Sequence, residues 1–488
     1  MTFNLKLTVR IVSTIAFLEG LAMLPSWMLA VRDGDARAAQ GILLSAGALI
    51  ILGVIGYSFT HRSKVKIKSR ESYFVVLACW ATAIIAGILP MYLSGEGYSL
   101  VDCIFESVSS WTTSTSYVID VDVMPRALVL WHATASWLGG MGVILLALLL
   151  LTSLGVSGQK IAGAELPGPT LIKTTARMAD TAKLTYGIYT IISLVEMVLL
   201  KLGGLPWFET VVNTMSSMST CGLVDYHGIV DAHFTPYIKV VLGVFSIIAA
   251  MNFVLFINLF HRQHREELMD YEAKVFLLTI GVSAVAIAIV LKIHFPDKSI
   301  FNAIVDGFAG VVSYSCTTGF PLERIYRWPS LCKAILLVLM IVGGCSGSTA
   351  GGIKVIRAAV FMKLIHRGMY RRIHPQSVKP VMIRRRAVTA ENASGISCFI
   401  LLFLAVYLAG VLLLSLENFD LETTLSAPLA LLTNTGVGFG RVWTGNFAIF
   451  SAPGKLLCAM LLILGRLELY AVLILFSRSF WNSDKARA

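Results

Sequence analysis

Apolar runs of about twenty residues follow one another along most of this 488-residue chain, and they leave it few folds to choose from. A run of roughly 18 or more apolar residues is long enough to cross a bilayer as a helix. In hydrocarbon every backbone N–H and C=O must find its partner within the protein, so spans are helices or closed barrels. Mean hydropathy is +0.77 and only 14% of residues are charged, which identifies an all-α integral membrane protein. Hydropathy marks about ten spans, at 11–31, 38–59, 73–94, 128–152, 184–203, 236–260, 275–294, 330–350, 396–416 and 455–480.

Between the later spans lie four shorter, semi-polar stretches, 101–115, 208–222, 301–319 and 422–436. Each ends in a Thr/Ser-rich segment: Thr112-Thr113-Ser114-Thr115, Ser219-Thr220-Cys221-Gly222, Cys316-Thr317-Thr318-Gly319 and Thr433-Asn434-Thr435-Gly436. Counted back from the last residue, two places earlier stands Thr113, Thr220, Thr317 or Asn434. Six places earlier stands Ser109, Ser216, Ser313 or Ala430. Thirteen places earlier stands Asp102, Glu209 or Asp306, with Glu422 one step further in the fourth. One unit is therefore used four times, at a period of about 100 residues. The first two spans stand outside this scheme.

The stretches are too short to cross and read as re-entrant half-helices. An acid near each helix start satisfies free N–H groups and the positive dipole end, or draws cations toward a vestibule. Each helix then aims its negative end at the centre, and the loop beyond offers backbone carbonyls in place of an ion's water. Glycine suits such a loop because the backbone must take unusual dihedral angles and come close to the ion. Close helix packing is the simpler use of one such Gly/Ser/Thr loop; four sharing aligned positions point to a cation path.

Charge placement sets the topology. Basic clusters at Lys6/Arg10, Arg62–Arg70, Arg262/Arg265 and from Lys354 through Arg386 face acidic loops carrying Glu96, Asp120, Asp122, Asp225, Asp231, Glu417 and Asp420. The positive-inside rule puts both termini in the cytoplasm, so the net charge of +12 reports orientation rather than nucleic-acid binding. The first run reads as a retained helix rather than a cleaved signal. The eight cysteines form no CxxC pair and the histidines no HExxH spacing, so neither a disulfide framework nor a resident metal is expected.

Gly343-Gly344-Cys345-Ser346-Gly347-Ser348-Thr349-Ala350-Gly351-Gly352 interrupts the span after the third loop. Glycine disfavours helix by about 1 kcal/mol relative to alanine, so Gly343, Gly344, Gly347, Gly351 and Gly352 should break it. Irregular backbone at this depth must face protein or water, which suggests a movable barrier below the third loop; packing clearance is the alternative. Gly344-Cys345-Ser346-Gly347 also fits a GxSG protease pattern, but no His follows His374 to act as base. Arg466, in the last span, is costly to bury and should face the pore. Glu468 lies two residues on, off its helix face.

These motifs resemble the TrkH/TrkG membrane subunits of bacterial potassium uptake systems, in the Trk/Ktr/HKT superfamily. The matching residues are Phe105 to Ser109, Trp137 to Gly142, Ala164-Glu165-Leu166-Pro167-Gly168-Pro169, Gly343 to Arg357, Thr435 to Gly440 and Gly465-Arg466-Leu467-Glu468. The resemblance implies four membrane–pore-helix–membrane units around one pore after two extra helices. Their boundaries fall at 1–70 for the extra pair, then 71–155, 156–265, 266–390 and 391–488. It implies K+ as the transported ion, held by Thr113, Ser114, Thr115, Thr220, Cys221, Gly222, Thr317, Thr318, Gly319, Asn434, Thr435 and Gly436. It implies that the Gly-rich stretch is the gate, assisted by Arg466. It also implies a homodimer in the inner membrane, with a cytoplasmic ring of TrkA-type nucleotide-binding subunits as partner. No GxGxxG unit occurs here, so this chain needs no cofactor, and nucleotide control belongs to another subunit. The basic 354–386 segment is either the docking surface or a solvated loop.

Thr115 departs from the glycine the family has there. A side chain at one of four corners should distort or narrow a K+-sized ring, and some plant members with Ser at this place conduct Na+. Weaker K+/Na+ discrimination is therefore expected. A Na+-preferring member, or a secondary transporter with broken helices, is the alternative.

Overall fold

The computed structural model describes residues 5–60, 69–142, 178–222, 235–260, 271–320, 325–376, 380–383, 386–477 and 480. The motif Ala164 to Pro169, the far half of the 128–152 run, the basic residues Arg62 to Lys68, Arg262, Arg265, Arg384 and Arg385, and Asp225 and Asp231 lie outside them.

Three helices come first: α1 (Leu5–Ala22), α2 (Leu24–Asp33) and α3 (Ala36–Thr60). Pro25, near the start of α2, accounts for the break after α1. Gly53 and Gly56 let α1 and α3 pack closely, since a Cβ on Gly53 would press on Phe17 and the Ser13 carbonyl. A long helix, a short helix, a polar turn and a medium helix then follow in order, four times. The first set is α4 (Ser69–Leu93), α5 (Leu100–Trp111) and α6 (Arg126–Gly140). The second is α7 (Met178–Leu202), α8 (Trp207–Ser219) and α9 (Pro236–Ala250), continued by α10 (Phe253–Phe260). The third is α11 (Tyr271–His294), α12 (Ile300–Ser315) and α13 (Ser330–Val342), continued by α14 (Val355–Ile373). A two-residue hairpin, β1 (Met382–Ile383) with β2 (Arg386–Ala387), leads to the last set. That set is α15 (Ala390–Leu414), α16 (Leu421–Leu432) and α17 (Ala452–Arg466), followed by α18 (Tyr470–Leu473).

Six helices among the described residues are long and apolar enough to cross a membrane, or seven if the bent pair α17–α18 counts as one span. Three further expected spans break for identifiable reasons, while 128–152 runs out of the described residues. The run 236–260 divides at Met251-Asn252. The run 330–350 stops at Val342, where Gly343 takes φ +72°. The run 455–480 turns by 107° after Arg466, where Glu468 and Leu469 both take positive φ.

The four sets close on one another head to tail. α6 packs on α8, α9 on α12, α13 on α16, and α17 returns to α5. Salt bridges reinforce three of these four seams. Lys239, the fourth residue of α9, reaches Asp306 at 3.2 Å. Lys333, the fourth of α13, reaches Glu422 at 2.8 Å. Lys455, the fourth of α17, reaches Asp102 at 2.6 Å. Val129 holds the corresponding place in α6, so the seam at Glu209 lacks its lysine. Asp102, Asp306 and Glu422 are thus clamps between neighbouring sets more than helix caps. The caps are Ser99, Ser299 and Asp420, which accept from the N–H groups of Asp102, Asn302 and Thr423.

Partial burial pushes the Asp102 carboxyl up, but hydrogen bonds from Lys455 and Ser99 and the lysine charge outweigh it and hold the group below its ordinary aspartate value. A lowered carboxyl pKa stabilises the fold above the unfolded value and loses that contribution as pH falls through the folded one. Lys455→Met should therefore lower the thermal midpoint of the detergent-solubilised protein by a few degrees, about the worth of one partly exposed pair, at pH 7. The difference from wild type should vanish when the melt is repeated at a pH below the carboxyl's titration.

Candidate functional site

The four polar turns meet inside the ring, and all twelve residues of their last three positions are buried. Each short helix ends by swinging one side-chain-bearing residue into the left-handed region: Thr113 at φ +59°, Thr220 at +57°, Thr317 at +53° and Asn434 at +55°. That conformation costs a non-glycine residue about 1–2 kcal/mol, yet it occurs at the same place in every turn. Two residues on, Gly222, Gly319 and Gly436 take φ +65°, +67° and +75°. Thr115 does not share this conformation.

The hydrogen bonds explain why the position six places back recurs. Gly222, Gly319 and Gly436 donate their N–H to the backbone carbonyls of Ser216, Ser313 and Ala430. These bonds satisfy the last carbonyls of each helix. In the first turn the bond to the Ser109 carbonyl comes from Ser114, one place earlier, as the N–H of Cys221 also bonds the Ser216 carbonyl at 2.8 Å. The serine hydroxyls fix the register: Ser109 Oγ donates to the Ser116 carbonyl and Ser313 Oγ to the Phe320 carbonyl, seven residues on in both turns. Thr115 therefore stands opposite Gly319, as the shared acid spacing indicates.

Neighbouring turns touch in chain order. A Cβ on Gly222 would run into the Thr318 carbonyl, one on Gly319 into the Thr435 carbonyl, and one on Gly436 into the Thr115 and Ser116 backbone and the Ser114 hydroxyl. Cys221 Sγ lies 3.1 Å from the Ser114 carbonyl. Across the middle, Thr115 Oγ1 donates to the Thr318 carbonyl at 2.6 Å and also to the Cys221 carbonyl. One hydroxyl hydrogen thus faces two carbonyls from different turns, at the point where the four segments converge. Gly319 and Gly222 would each place a Cβ against this same hydroxyl.

Glu106, buried behind the first turn, accepts from the N–H groups of Val118 and Ile119, and His132 Nε2 stands 3.4 Å from its other oxygen. This brace fixes the chain leaving the turn. Sequence reasoning noted Glu106 only within a motif, because its partners are backbone groups that no spacing reveals.

Beneath the turns, residues 343–354 form a loop. Gly343, Gly347 and Gly352 have positive φ, and Gly343 and Gly352 lie so close that a Cβ on either would strike the other's backbone. Gly344 packs on Ala250 and Ala350, while Gly351 sits against the Thr433 carbonyl. The loop fills the break between α9 and α10. Cys345 N–H donates to Ala250 O at 2.9 Å, Thr349 Oγ1 to Ala249 O at 3.1 Å, and Phe253 N–H to Gly347 O at 3.3 Å. Helix-end carbonyls at depth thus gain partners without water. Glu272, at the start of α11, accepts from the N–H groups of Ser346 at 2.8 Å and Ile356 at 3.1 Å and pins both limbs. Lys354 is fully buried, with Nζ on the Ala350 carbonyl at 2.6 Å.

Arg466 caps this arrangement. Its guanidinium donates to Thr349 O of the loop at 2.8 Å and to Gly139 O and Gly140 O of α6 at 2.6 and 2.9 Å. It bridges the loop to the opposite side of the ring. Glu468 turns away to Arg357, at 2.6 Å, and Arg357 also stacks over Phe399. Glu272 was not singled out in the sequence, Lys354 and Arg357 figured only in a basic run and a motif, and Glu468 only as a poor mate for Arg466, since each acts through a contact distant in the chain. Among the described residues no cluster of three His, Cys, Asp or Glu side chains could hold a metal ion. The oxygens that converge at the turns are carbonyls and hydroxyls, donors suited to a weakly held, dehydrated monovalent cation.

Comparison with known proteins agrees with this architecture. A family model described as "TrkH: Cation transport protein" matches residues 39–485. The Trk system potassium uptake protein TrkH of Salmonella typhimurium is 30% identical over 479 residues, covering 97% of this chain and 98% of that one. TrkG of Escherichia coli is 27% identical over 487 residues, covering 99% and 100%. The crystal structure of the potassium transporter TrkH from Vibrio parahaemolyticus superimposes with a TM-score of 0.87 at 27% identity, covering 98% of this chain and all of the other. These relatives are transport proteins rather than enzymes, and the chain belongs to the TrkH family of cation transport proteins.

Proposed function

We propose that this chain is the channel-like membrane subunit of a potassium uptake system, carrying K+ down the axis where the four polar turns meet. The single observation that supports this most is the repeated left-handed corner at Thr113, Thr220, Thr317 and Asn434. A strained conformation kept at four matching places orients four sets of carbonyls toward one point, and carbonyl rings replace a cation's hydration shell. The relatives' names as potassium uptake proteins support K+ as the cargo.

In this reading each set from α4 onward is a membrane–pore-helix–membrane unit, with boundaries at 71–155, 156–265, 266–390 and 391–488, and residues 1–70 stand outside. Thr113–Thr115, Thr220–Gly222, Thr317–Gly319 and Asn434–Gly436 form the selectivity filter. The loop at Gly343, Gly344, Gly347, Gly351 and Gly352 is the gate, and Arg466 holds it shut by tying Thr349 to α6. The protein sits in a bacterial inner membrane with both termini cytoplasmic, as a homodimer, and a separate TrkA-type subunit carries any nucleotide. The basic helix α14, on the loop's cytoplasmic side, is the surface that subunit would press to move the gate.

A second reading has its own support. The Thr115 hydroxyl bonds to two filter carbonyls, so a cation entering the ring competes with a side chain already there. A smaller ion, or one that keeps the hydroxyl as a ligand, is favoured relative to K+, and the filter discriminates less against Na+.

Reconstituted protein should give Rb+ and K+ flux that follows the membrane voltage with no fixed H+ stoichiometry; tight coupling to H+ would mark a carrier instead. Thr115→Gly should raise the Rb+/Na+ flux ratio about tenfold, the worth of roughly 1.4 kcal/mol of lost competition, and an unchanged ratio would remove Thr115 from selectivity. Gly319→Ala should cut Rb+ flux by more than about tenfold at normal expression. It adds a Cβ at φ +67° against the Thr435 carbonyl, in a conformation an alanine resists by about 1–2 kcal/mol.

A further inference from the structure

The side chains at the four left-handed corners are not used alike. Thr113 Oγ1 has no hydrogen-bond partner among the described residues, and Thr220 Oγ1 bonds back to its own neighbour's carbonyl, Ser219 O. Thr317 Oγ1, by contrast, accepts the N–H of Gly351 in the Gly-rich loop at 2.7 Å. Asn434 Nδ2 donates to Leu462 O in α17 at 3.0 Å, one turn before Arg466. Two corners are therefore tied to the elements that move in the gating reading, and two are not.

The tie at Thr317 is close and direct. Gly351 also lies against the Thr433 carbonyl, at a separation that leaves no room for a Cβ. The loop therefore touches both the third and fourth turns from below. Thr317 carries its hydroxyl into this contact from a backbone conformation that costs free energy, so the bond to Gly351 helps hold the corner in place. Two residues on, Gly319 sets the ring's third carbonyl edge against Thr435 and Thr115. Displacing the loop removes the partner of Thr317 and leaves a buried acceptor unsatisfied, which favours relaxation of that corner.

We propose that the loop sets the cation preference of the filter as well as its opening, and that the Thr317 side chain is the positioning residue that transmits it. With the loop seated, the third corner is held and the ring keeps its closed geometry. With the loop displaced, the Gly351–Thr317 bond is lost, the corner relaxes and discrimination among monovalent cations weakens. The inference rests on the filter-and-gate reading above and adds a mechanical link between the two parts.

The test is a two-residue cycle in liposomes, reading total Rb+ flux and the Rb+/Na+ flux ratio for wild type, Thr317→Val, Thr317→Ser, Arg466→Ala and the Thr317→Val/Arg466→Ala pair. Arg466→Ala releases the loop from α6 and should raise total flux while shifting the ratio two- to tenfold, about the worth of one hydrogen bond. Thr317→Val should shift the ratio by a similar factor, Thr317→Ser should keep the wild-type ratio, and the pair should shift it no further than either single change. Three outcomes overturn the link: a raised flux with unchanged ratio in Arg466→Ala, ratio changes that multiply in the pair, or a Thr317→Ser ratio matching that of Thr317→Val. If Thr317→Val does not fold, the Arg466→Ala ratio alone decides. Wild-type protein that passes no Rb+ at all would overturn the filter reading itself, a result distinct from any of these.

Discussion

The structure depends on a backbone constraint repeated four times. Each short helix stops inside the protein and turns its chain back through a residue in the left-handed region, Thr113, Thr220, Thr317 or Asn434. A helix that ends in hydrocarbon leaves carbonyls that water cannot reach. The turn satisfies some of them through the N–H groups of Ser114, Gly222, Gly319 and Gly436 and leaves others directed inward. The conformational cost of about 1–2 kcal/mol per corner is tolerable only if the surroundings hold the corner in place. They do so by different means: Glu106 braces the chain beyond the first turn, Gly351 meets Thr317, and Leu462 meets Asn434.

The rest of the fold brings these corners together. Each set packs its last helix on the short helix of the next, and lysines four residues into three of those helices meet acids at the mouth of the next set. The last helices of the second, third and fourth sets are broken near one another. The α9–α10 break receives the Gly-rich loop, and the α17–α18 bend sets Arg466 between that loop and α6. Breaks that would be defects in a soluble core are here satisfied by one another, since each supplies the donors or acceptors the other lacks.

Much of this was legible in the sequence because it rests on spacing. The recurrence of Thr or Asn two places before the end of all four turns, and of Ser six places before it in three of them, reflects the corner and the carbonyl that caps the turn. The Gly-rich run does end its helix at Val342, and Arg466 lies between that loop and α6. Hydropathy read three interrupted runs as continuous because it measures composition, and the breaks at Asn252, Gly343 and Glu468 are set by backbone dihedrals and distant partners. The acids were read as caps or vestibule charges; their lysines lie in the preceding set, or for Asp102 at the other end of the chain, where no local pattern points. Glu272 escaped notice and Glu106 figured only inside a motif for a related reason, since both bind backbone N–H groups, which every residue but proline carries.

Thr115, at the end of its turn, is where sequence and geometry both depart from the fourfold rule, and its hydroxyl takes the place where the carbonyls converge. The central claim is that this convergence point is the cation site. Anomalous scattering from crystals grown in Rb+ tests it directly. The account predicts a peak on the axis among the carbonyls of Cys221, Thr318 and Thr435, with the Thr115 side chain turned aside. Rb+ bound elsewhere in the protein, with that point empty and the Thr115 hydroxyl still on its two carbonyls, would contradict it.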